Sequence, residues 1–174
     1  MRNQLTLCRK IAIAASGFTL IEMVMVIVLM GILAAVGAPM IANGMRIANT
    51  ANTDLATVSQ LRYATERIAR EIREVRFLAG AFSVTTTTAT TFVFTKTDGT
   101  VVTIAYASPN VAMTYGGVGT ANLVTQATAF QFTYTNVSPY VAGSSPTVDV
   151  SLTLRNPTTG ATYTQTTRVV LRNS

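Results

Sequence analysis

Glu22 is the residue of this sequence whose chemistry most needs an explanation. It ends the run Gly17-Phe18-Thr19-Leu20-Ile21-Glu22, and twenty uncharged, mostly apolar residues follow it, Met23–Ala42. A carboxylate at the start of a membrane-length segment is costly to remove from water, so we treat it as a functional residue by default. Such a group can pair with a positive charge in an apolar environment.

The remainder of the chain offers few residues for catalysis. It contains no histidine, and its aspartates are Asp54, Asp98 and Asp149, which are far apart in sequence. Hydrolytic, metal-dependent and phosphate-transfer sites are hard to build from such a set. The sequence therefore predicts a protein that is not an enzyme and that needs no cofactor and no metal.

Charge and cysteine content argue against a nucleic-acid-binding protein and against a fold held by intramolecular disulfides. The net charge is +6, but Arg2, Arg9 and Lys10 supply half of it ahead of Phe18, so the basic balance is weak evidence for nucleic-acid binding. The single cysteine, Cys8, also precedes Phe18. A chain cut after Gly17 would have no cysteine and no intramolecular disulfide.

Two ordinary interpretations of residues 1–42 leave Glu22 unexplained. A conventional secretory signal is disfavoured because the long apolar stretch follows the small residues around Gly17 and does not precede them. A plain signal anchor fits better, since Phe18–Ala42 has 25 residues and would reach about 37 Å at about 1.5 Å per residue. The basic leader would keep the N-terminus in the cytoplasm and place the chain after residue 45 outside.

A third interpretation includes Glu22. A short basic leader, then Gly17-Phe18-Thr19-Leu20-Ile21-Glu22 and an apolar helix, resembles the prepilin motif of the type IV filament superfamily, the type IV pilins and type II secretion pseudopilins. The resemblance implies a prepilin leader over residues 1–17, which a prepilin peptidase removes after Gly17 before methylating the amino group of Phe18. It also implies a transmembrane and assembly helix over residues 18–42, partner pilin or pseudopilin subunits, an inner-membrane assembly platform and contact with membrane lipid.

Cleavage would give Glu22 a partner. It would create an ammonium group on Phe18, four residues before the carboxylate, and two buried opposite charges need each other. They could compensate within one subunit, or Glu22 of an incoming subunit could neutralise Phe18 of a neighbour and set the axial register. The alternative is that Glu22 only reaches toward the membrane interface.

Gly31 and Pro39 weaken the apolar helix. Glycine costs about 1 kcal/mol relative to alanine, and proline removes a backbone hydrogen bond. The family resembled here has a glycine and a proline near these places, where the helix can melt on assembly. A static kink is the other interpretation, and both stay open.

An amphipathic helix is predicted over residues 43–80, with Gly80 as its C-cap. Its apolar stripe is expected to be Leu55, Val58, Leu61, Ile68, Ile72, Val75 and Ala79. The other side carries an i, i+4 ladder of Arg62, Glu66, Arg70 and Glu74, with Arg67 and Glu71 beside it. A solvated face is one interpretation; the other is contact with neighbouring subunits through Arg62, Arg67 and Arg70. The glutamates interrupt the arginines, so nucleic acid is not a favoured partner.

Residues 81–174 change to the alternating pattern of strands. The predicted strands are Phe82–Thr85, Thr91–Lys96, Val101–Tyr106, Val111–Tyr115, Asn122–Gln126, Thr128–Thr135, Thr147–Arg155 and Ala161–Arg172. Asp98-Gly99 and Asn156–Gly160 are predicted hairpin turns. The fold class is therefore α+β: a long N-terminal helix packed on an antiparallel β-sheet, as in pilins. Tyr140, in the irregular segment Asn136–Pro146, is a candidate partner contact or a packed loop anchor.

The layout is most similar to J-type pseudopilins and W-type minor pilins. The predicted function is thus a minor pilin or pseudopilin, a structural subunit in the inner membrane with its C-terminal domain in the periplasm or outside, and later in a filament or filament tip. The alternative is an exported binding module, an adhesin or a DNA-uptake minor pilin, whose sheet and loops recognise a ligand.

Overall fold

The computed structural model describes residues 17–137 and 143–172. Its α+β architecture agrees with the prediction: one long helix is followed by antiparallel strands. Internal contacts divide the chain between Arg46 and Ile47. The predicted contact Tyr140 lies outside the described residues, together with the rest of residues 138–142.

Helix α1 is Leu20–Arg73. No residue of the helix is buried from Leu20 to Asn52. The side chains that enter the core begin at Thr57. The predicted stripe is right at Leu61, Ile68 and Ile72, which are buried, and wrong at Leu55, which is 64% exposed. Ala64, Thr65 and Ala69 complete the buried face, because small residues let the helix lie close to the strands.

The predicted helix end is wrong, since α1 stops at Arg73 and not at Ala79. The backbone of the next residues bonds to the strand region: Arg76 N donates to Thr95 O at 2.9 Å, and Thr97 N donates to Glu74 O at 3.1 Å. Val75 forms an isolated antiparallel bridge with Lys96. These tertiary hydrogen bonds satisfy groups that a further helical turn would have satisfied internally.

Gly80 belongs to a hairpin turn and not to a helix cap. The short strands β1, Phe77–Leu78, and β2, Ala81–Phe82, pair antiparallel around it. Ala79 has φ 52° and Gly80 has φ 82°, the two positive values that a type I′ turn requires. Alanine pays a steric cost there that asparagine or glycine largely avoids.

Ala79→Asn is therefore expected to raise the free energy of unfolding by about 0.5–1 kcal/mol. Ala79→Val, which places a β-branched side chain at the same positive φ, is the matched control and should lower it. Thermal unfolding of the full chain in neutral detergent, followed by circular dichroism, measures both. An unchanged or lower midpoint for Ala79→Asn would show that this turn is not strained.

The strands form antiparallel ladders but not the single sheet that was expected. A five-stranded sheet has the order β3-β4-β5-β6-β7, and a three-stranded sheet has the order β10-β9-β8. Their bounds are β3 Val84–Thr87, β4 Thr91–Thr95, β5 Val101–Ala107, β6 Asn110–Tyr115, β7 Gly119–Val124, β8 Ala127–Thr135, β9 Thr147–Arg155 and β10 Thr162–Val170. Both predicted hairpin turns are confirmed, Asp98-Gly99 between β4 and β5 and Asn156–Gly160 between β9 and β10.

Aromatic side chains join the two larger sheets in one core. Phe92 of β4 lies 5.4 Å from Phe132 of β8 between ring centroids, and Tyr106 of β5 lies 6.2 Å from Phe130. The alternate residues Val148, Val150, Leu152 and Leu154 of β9 are fully buried, as the alternation predicts. This core holds the C-terminal part of α1 in a fixed register against the strands.

Asp54 ties α1 to the β9–β10 turn. Asn156 Nδ2 donates to Asp54 Oδ1 at 2.7 Å, and Thr159 Oγ1 donates to the same oxygen at 2.9 Å. Asn156 is fully buried, so its amide needs these partners. Asp54 therefore has structural hydrogen-bond partners, which the alternation of the strands did not predict.

Candidate functional site

The first described residues form a reciprocal helix cap. Gly17, Phe18 and Thr19 precede α1, which begins at Leu20. Glu22 N donates to Thr19 Oγ1 at 3.3 Å, and Thr19 N donates to Glu22 Oε2 at 3.4 Å. This is the geometry of a capping box, in which Thr at the N-cap and Glu three residues later satisfy each other's backbone N–H groups.

The capping box was not part of the sequence analysis, although the Thr-x-x-Glu spacing before an apolar run is its signature. It gives Glu22 a first role that needs no other chain: its carboxylate lies at the positive end of the helix dipole. The carboxylate is nevertheless exposed, and so is every residue from Phe18 to Val36. Glu22 therefore remains open to a further cation.

The apolar part of α1 has an uncovered surface. Phe18 is 76% exposed and Leu20 is 83% exposed, and large aliphatic side chains continue on all sides of the helix. By length and composition this helix contains a segment that can cross a membrane. A helix that is apolar all round requires lipid or packed protein around it.

Gly31 and Pro39 lie inside the continuous helix. A Cβ built at Gly31 would meet no atom within 4 Å in the part of the chain that the structure describes, so packing there does not require the glycine. The helix in this form of the protein is neither melted nor interrupted at Pro39. Whether the stretch melts on assembly stays a prediction.

A buried carboxylate, Glu71, is the principal polar site that the sequence analysis missed. It was expected on the solvated face of the helix, yet the residue is only 3% exposed. Its Oε1 accepts from Arg67 Nη2 at 2.8 Å and from the Tyr115 hydroxyl at 2.9 Å. Its Oε2 lies 3.1 Å from Lys96 Nζ.

The same contacts correct the predicted ladder. Glu74 pairs with Lys96, at 2.7 Å between Oε2 and Nζ, and not with Arg70. The hydrogen bond from Lys96 to Glu74, supported by Glu71 and opposed by partial burial, raises the pKa of Lys96 well above its usual range. Stability from a lysine with a raised pKa is complete below its unfolded pKa and is lost only as pH rises through the folded value, so the contribution of Lys96 is complete at neutral pH.

The network joins α1 to two strands of the five-stranded sheet. Lys96 directly follows β4, and Tyr115 ends β6. Burial raises the pKa of the Tyr115 hydroxyl, which stays protonated and can donate to Glu71 while it accepts from Arg67 at 2.8 Å. The arrangement fixes the position of the helix against these two strands.

The predicted contact residues on α1 are only partly available to a partner. Arg62 and Arg70 are exposed, whereas Arg67 is half-buried and committed to Glu71 and Tyr115. Tyr63, Glu66, Arg67 and Arg70 line a small cavity of about 100 Å³. Within residues 17–137 and 143–172, no three carboxylate, thiol or imidazole side chains are arranged to hold a metal ion.

Comparison with known proteins gives one match. Residues 14–38 match the family model described as the prokaryotic N-terminal methylation motif. The match covers the capping box and most of the exposed apolar helix, and it does not extend to the strands. No curated protein and no solved structure matches the chain.

Proposed function

We propose that this chain is the precursor of a type IV pilin-like subunit, a structural protein that is anchored in a membrane and then assembled into a filament. The N-terminal methylation motif over residues 14–38 is the observation that carries this proposal. The uncovered apolar helix supports it, because such a surface requires lipid before assembly and neighbouring helices after it.

In this proposal a prepilin peptidase hydrolyses the bond between Gly17 and Phe18 and methylates the new amine. Phe18 and Glu22 then form a charge pair, within one subunit or between neighbours. The capping box explains how the precursor holds Glu22 before the amine exists: the carboxylate accepts from Thr19 N at 3.4 Å. Cleavage next to this cap replaces a neutral peptide bond with an ammonium group that competes for the same carboxylate.

More specifically, we propose a minor pilin or pseudopilin of the inner membrane, with its strands in the periplasm or outside the cell. The layout supports this: a long helix whose second half is rich in arginine and glutamate, followed by antiparallel strands of which the last, β10, ends at Val170. The buried Glu71 network supports a structural role for the helix and the sheet, because its carboxylate, its cations and the Tyr115 hydroxyl bind one another. The proposal assigns no reaction to this chain.

Mass spectrometry of the protein co-expressed with a prepilin peptidase tests the proposal. The expected mature N-terminus is a methylated Phe18, and a different N-terminus would contradict the assignment. Gly17→Val should abolish cleavage and leave the full precursor in the membrane. A Cβ at Gly17 meets no atom of the described residues within 4 Å, so we expect the substitution to leave their fold intact and to report on the peptidase.

Gly31→Ala is the matched control for that substitution. A Cβ at Gly31 is equally free of neighbours, but this residue lies inside the helix and away from the proposed cleavage site. It should be cleaved as efficiently as the wild-type chain. Equal cleavage of Gly17→Val and wild type would place the processing site elsewhere.

A further inference from the structure

Three arginines surround a cavity at the end of strand β10. The cavity has a volume of about 440 Å³ and is lined by Arg73, Arg168, Val170 and Arg172. Arg73 is the last residue of α1, whereas Arg168 and Val170 belong to β10. The end of the helix and the last strand of the chain's three-stranded sheet are thus brought together around one space.

Two of these three charges are not offset. Arg168 makes a bidentate pair with Asp149, with Nε to Oδ1 at 2.7 Å and Nη2 to Oδ2 at 2.8 Å. Arg73 and Arg172 are exposed and form no ion pair within the part of the chain that the structure describes. The cavity therefore presents two free guanidinium groups, which suit a carboxylate or a phosphate in bidentate geometry.

The strand beside the cavity has an open edge. β10 is one of the two outer strands of the three-stranded sheet, and it has nine residues without a proline or a lysine. Apart from its ladder with β9, it makes no backbone hydrogen bond with any other described residue. Alternate N–H and C=O groups of such an edge are directed outward and can pair with another extended chain.

We propose that the edge of β10 and the three-arginine cavity together receive an extended acidic segment of a neighbouring protein subunit. The segment would add as a strand to β10, and its carboxylates would bind Arg73 and Arg172. The proposal rests on the proposed function in one respect: the neighbour is another subunit of the filament. Backbone pairing supplies affinity, and the arginines select acidic side chains.

The observations favour a protein segment over nucleic acid. Among the described residues no aromatic side chain lines the cavity, so they offer bases no stacking surface there, and Val170 supplies an apolar wall. From Ile47 to the end, the sequence has nine basic against six acidic side chains, a small excess for binding a phosphate backbone. An open strand edge is of use to a polypeptide and of little use to a nucleotide chain.

The test measures binding of labelled peptides to the full chain in neutral detergent micelles at low ionic strength, by fluorescence anisotropy. The main probe alternates glutamate and threonine over the length of β10, so that all its carboxylates lie on one face of a strand. A second probe alternates glutamate and proline; it keeps the charge but cannot donate hydrogen bonds to a strand edge. Oligothymidylate of equal charge is the third probe.

The glutamate–threonine peptide should bind, and Arg73→Ala with Arg172→Ala should weaken its binding by about tenfold. Arg46→Ala with Arg155→Ala is the matched control: it removes two other exposed arginines and should change the affinity by less than about twofold. The glutamate–proline peptide should bind at least about tenfold more weakly than the main probe. Equal thermal unfolding of the two double variants shows that the cavity variant is folded.

Three outcomes would overturn the inference. Equal loss in the two double variants would mean that only overall charge matters. Equal binding of the proline peptide would exclude strand addition, and tighter binding of oligothymidylate would identify a phosphodiester site instead. None of these measurements depends on cleavage at Gly17, so a negative result in a correctly processed protein removes the docking surface and leaves the proposed function in place.

Discussion

Glu22→Gln is expected to reduce incorporation of the protein into filaments by about tenfold or more, while cleavage and membrane insertion continue. Removing one partner of a buried ion pair leaves the other charge uncompensated, at a cost of about 3–5 kcal/mol. In the proposed mature subunit that other charge is the methylated ammonium of Phe18. Quantitative immunoblotting of sheared filaments against the membrane fraction measures the change, and mass spectrometry confirms that Phe18 is the N-terminus in both.

Glutamine is the informative substitution because the structure gives Glu22 two separable roles. A glutamine at this position keeps an oxygen that can accept from Thr19 N, so the capping box survives without the charge. Thr19→Ala makes the complementary change, since it removes the hydroxyl that accepts from Glu22 N and keeps the carboxylate. Loss of such a cap costs about 1 kcal/mol, so incorporation of Thr19→Ala should fall little.

The reverse pattern would contradict the charge-pairing account. If Glu22→Gln assembled like the wild-type chain and Thr19→Ala did not, capping of the helix would be the function of both residues. If both variants assembled normally, neither the pair nor the cap would matter for assembly. Glu22→Ala, which removes the cap and the charge together, should be at least as defective as Glu22→Gln.

Glu71→Ala is expected to lower the free energy of unfolding by about 3 kcal/mol or more. The substitution removes the carboxylate acceptor of the half-buried Tyr115 hydroxyl and one of the two carboxylates that face Lys96. For a domain of this size the melting temperature should fall by about 10 °C. Thermal unfolding of the full chain in neutral detergent, followed by circular dichroism of the strands, measures the shift.

Glu66→Ala is the matched control, because Glu66 lies five residues earlier on the same helix and is exposed. Its effect should stay within about 0.5 kcal/mol. Glu71→Gln should lie between the two, since an amide oxygen still accepts from Tyr115 but does not balance Lys96. Equal stability of Glu71→Ala and Glu66→Ala would show that the buried network contributes nothing to holding the helix on the sheet.

The two glutamates show which part of the site could be predicted. Glu22 is recognised from its neighbours in sequence, because the motif, the apolar run and the cap are all formed by adjacent residues. Glu71 lies between Arg70 and Ile72 in a pattern that fits a solvated face equally well. Its hydroxyl partner Tyr115 is 44 residues away, and no local spacing announces such a contact.

The strands show the same difference between features that local sequence predicts and features that depend on long-range packing. Alternation and the turn residues Asp98-Gly99 and Asn156–Gly160 predicted most strands and both hairpins, since a hairpin is specified by its own residues. The division into a five-stranded and a three-stranded sheet was not predicted. It depends on packing such as Phe92 against Phe132, which brings together residues from separate hairpins.

By itself the sequence determined the N-terminal motif, the membrane-length helix, the position of Glu22 and the α+β class, because each follows from contiguous residues whose period or spacing is a local property. Only the tertiary structure decided where α1 ends, because Arg76 N donates to Thr95 O of the strand region and not to a carbonyl of a further helical turn. It also decided that Glu71 is buried and that Arg73, Arg168 and Arg172 share one cavity. Burial and long-range pairing are properties of the packed chain. Helical spacing predicts the side of the helix on which a residue lies, but not which other elements cover that side.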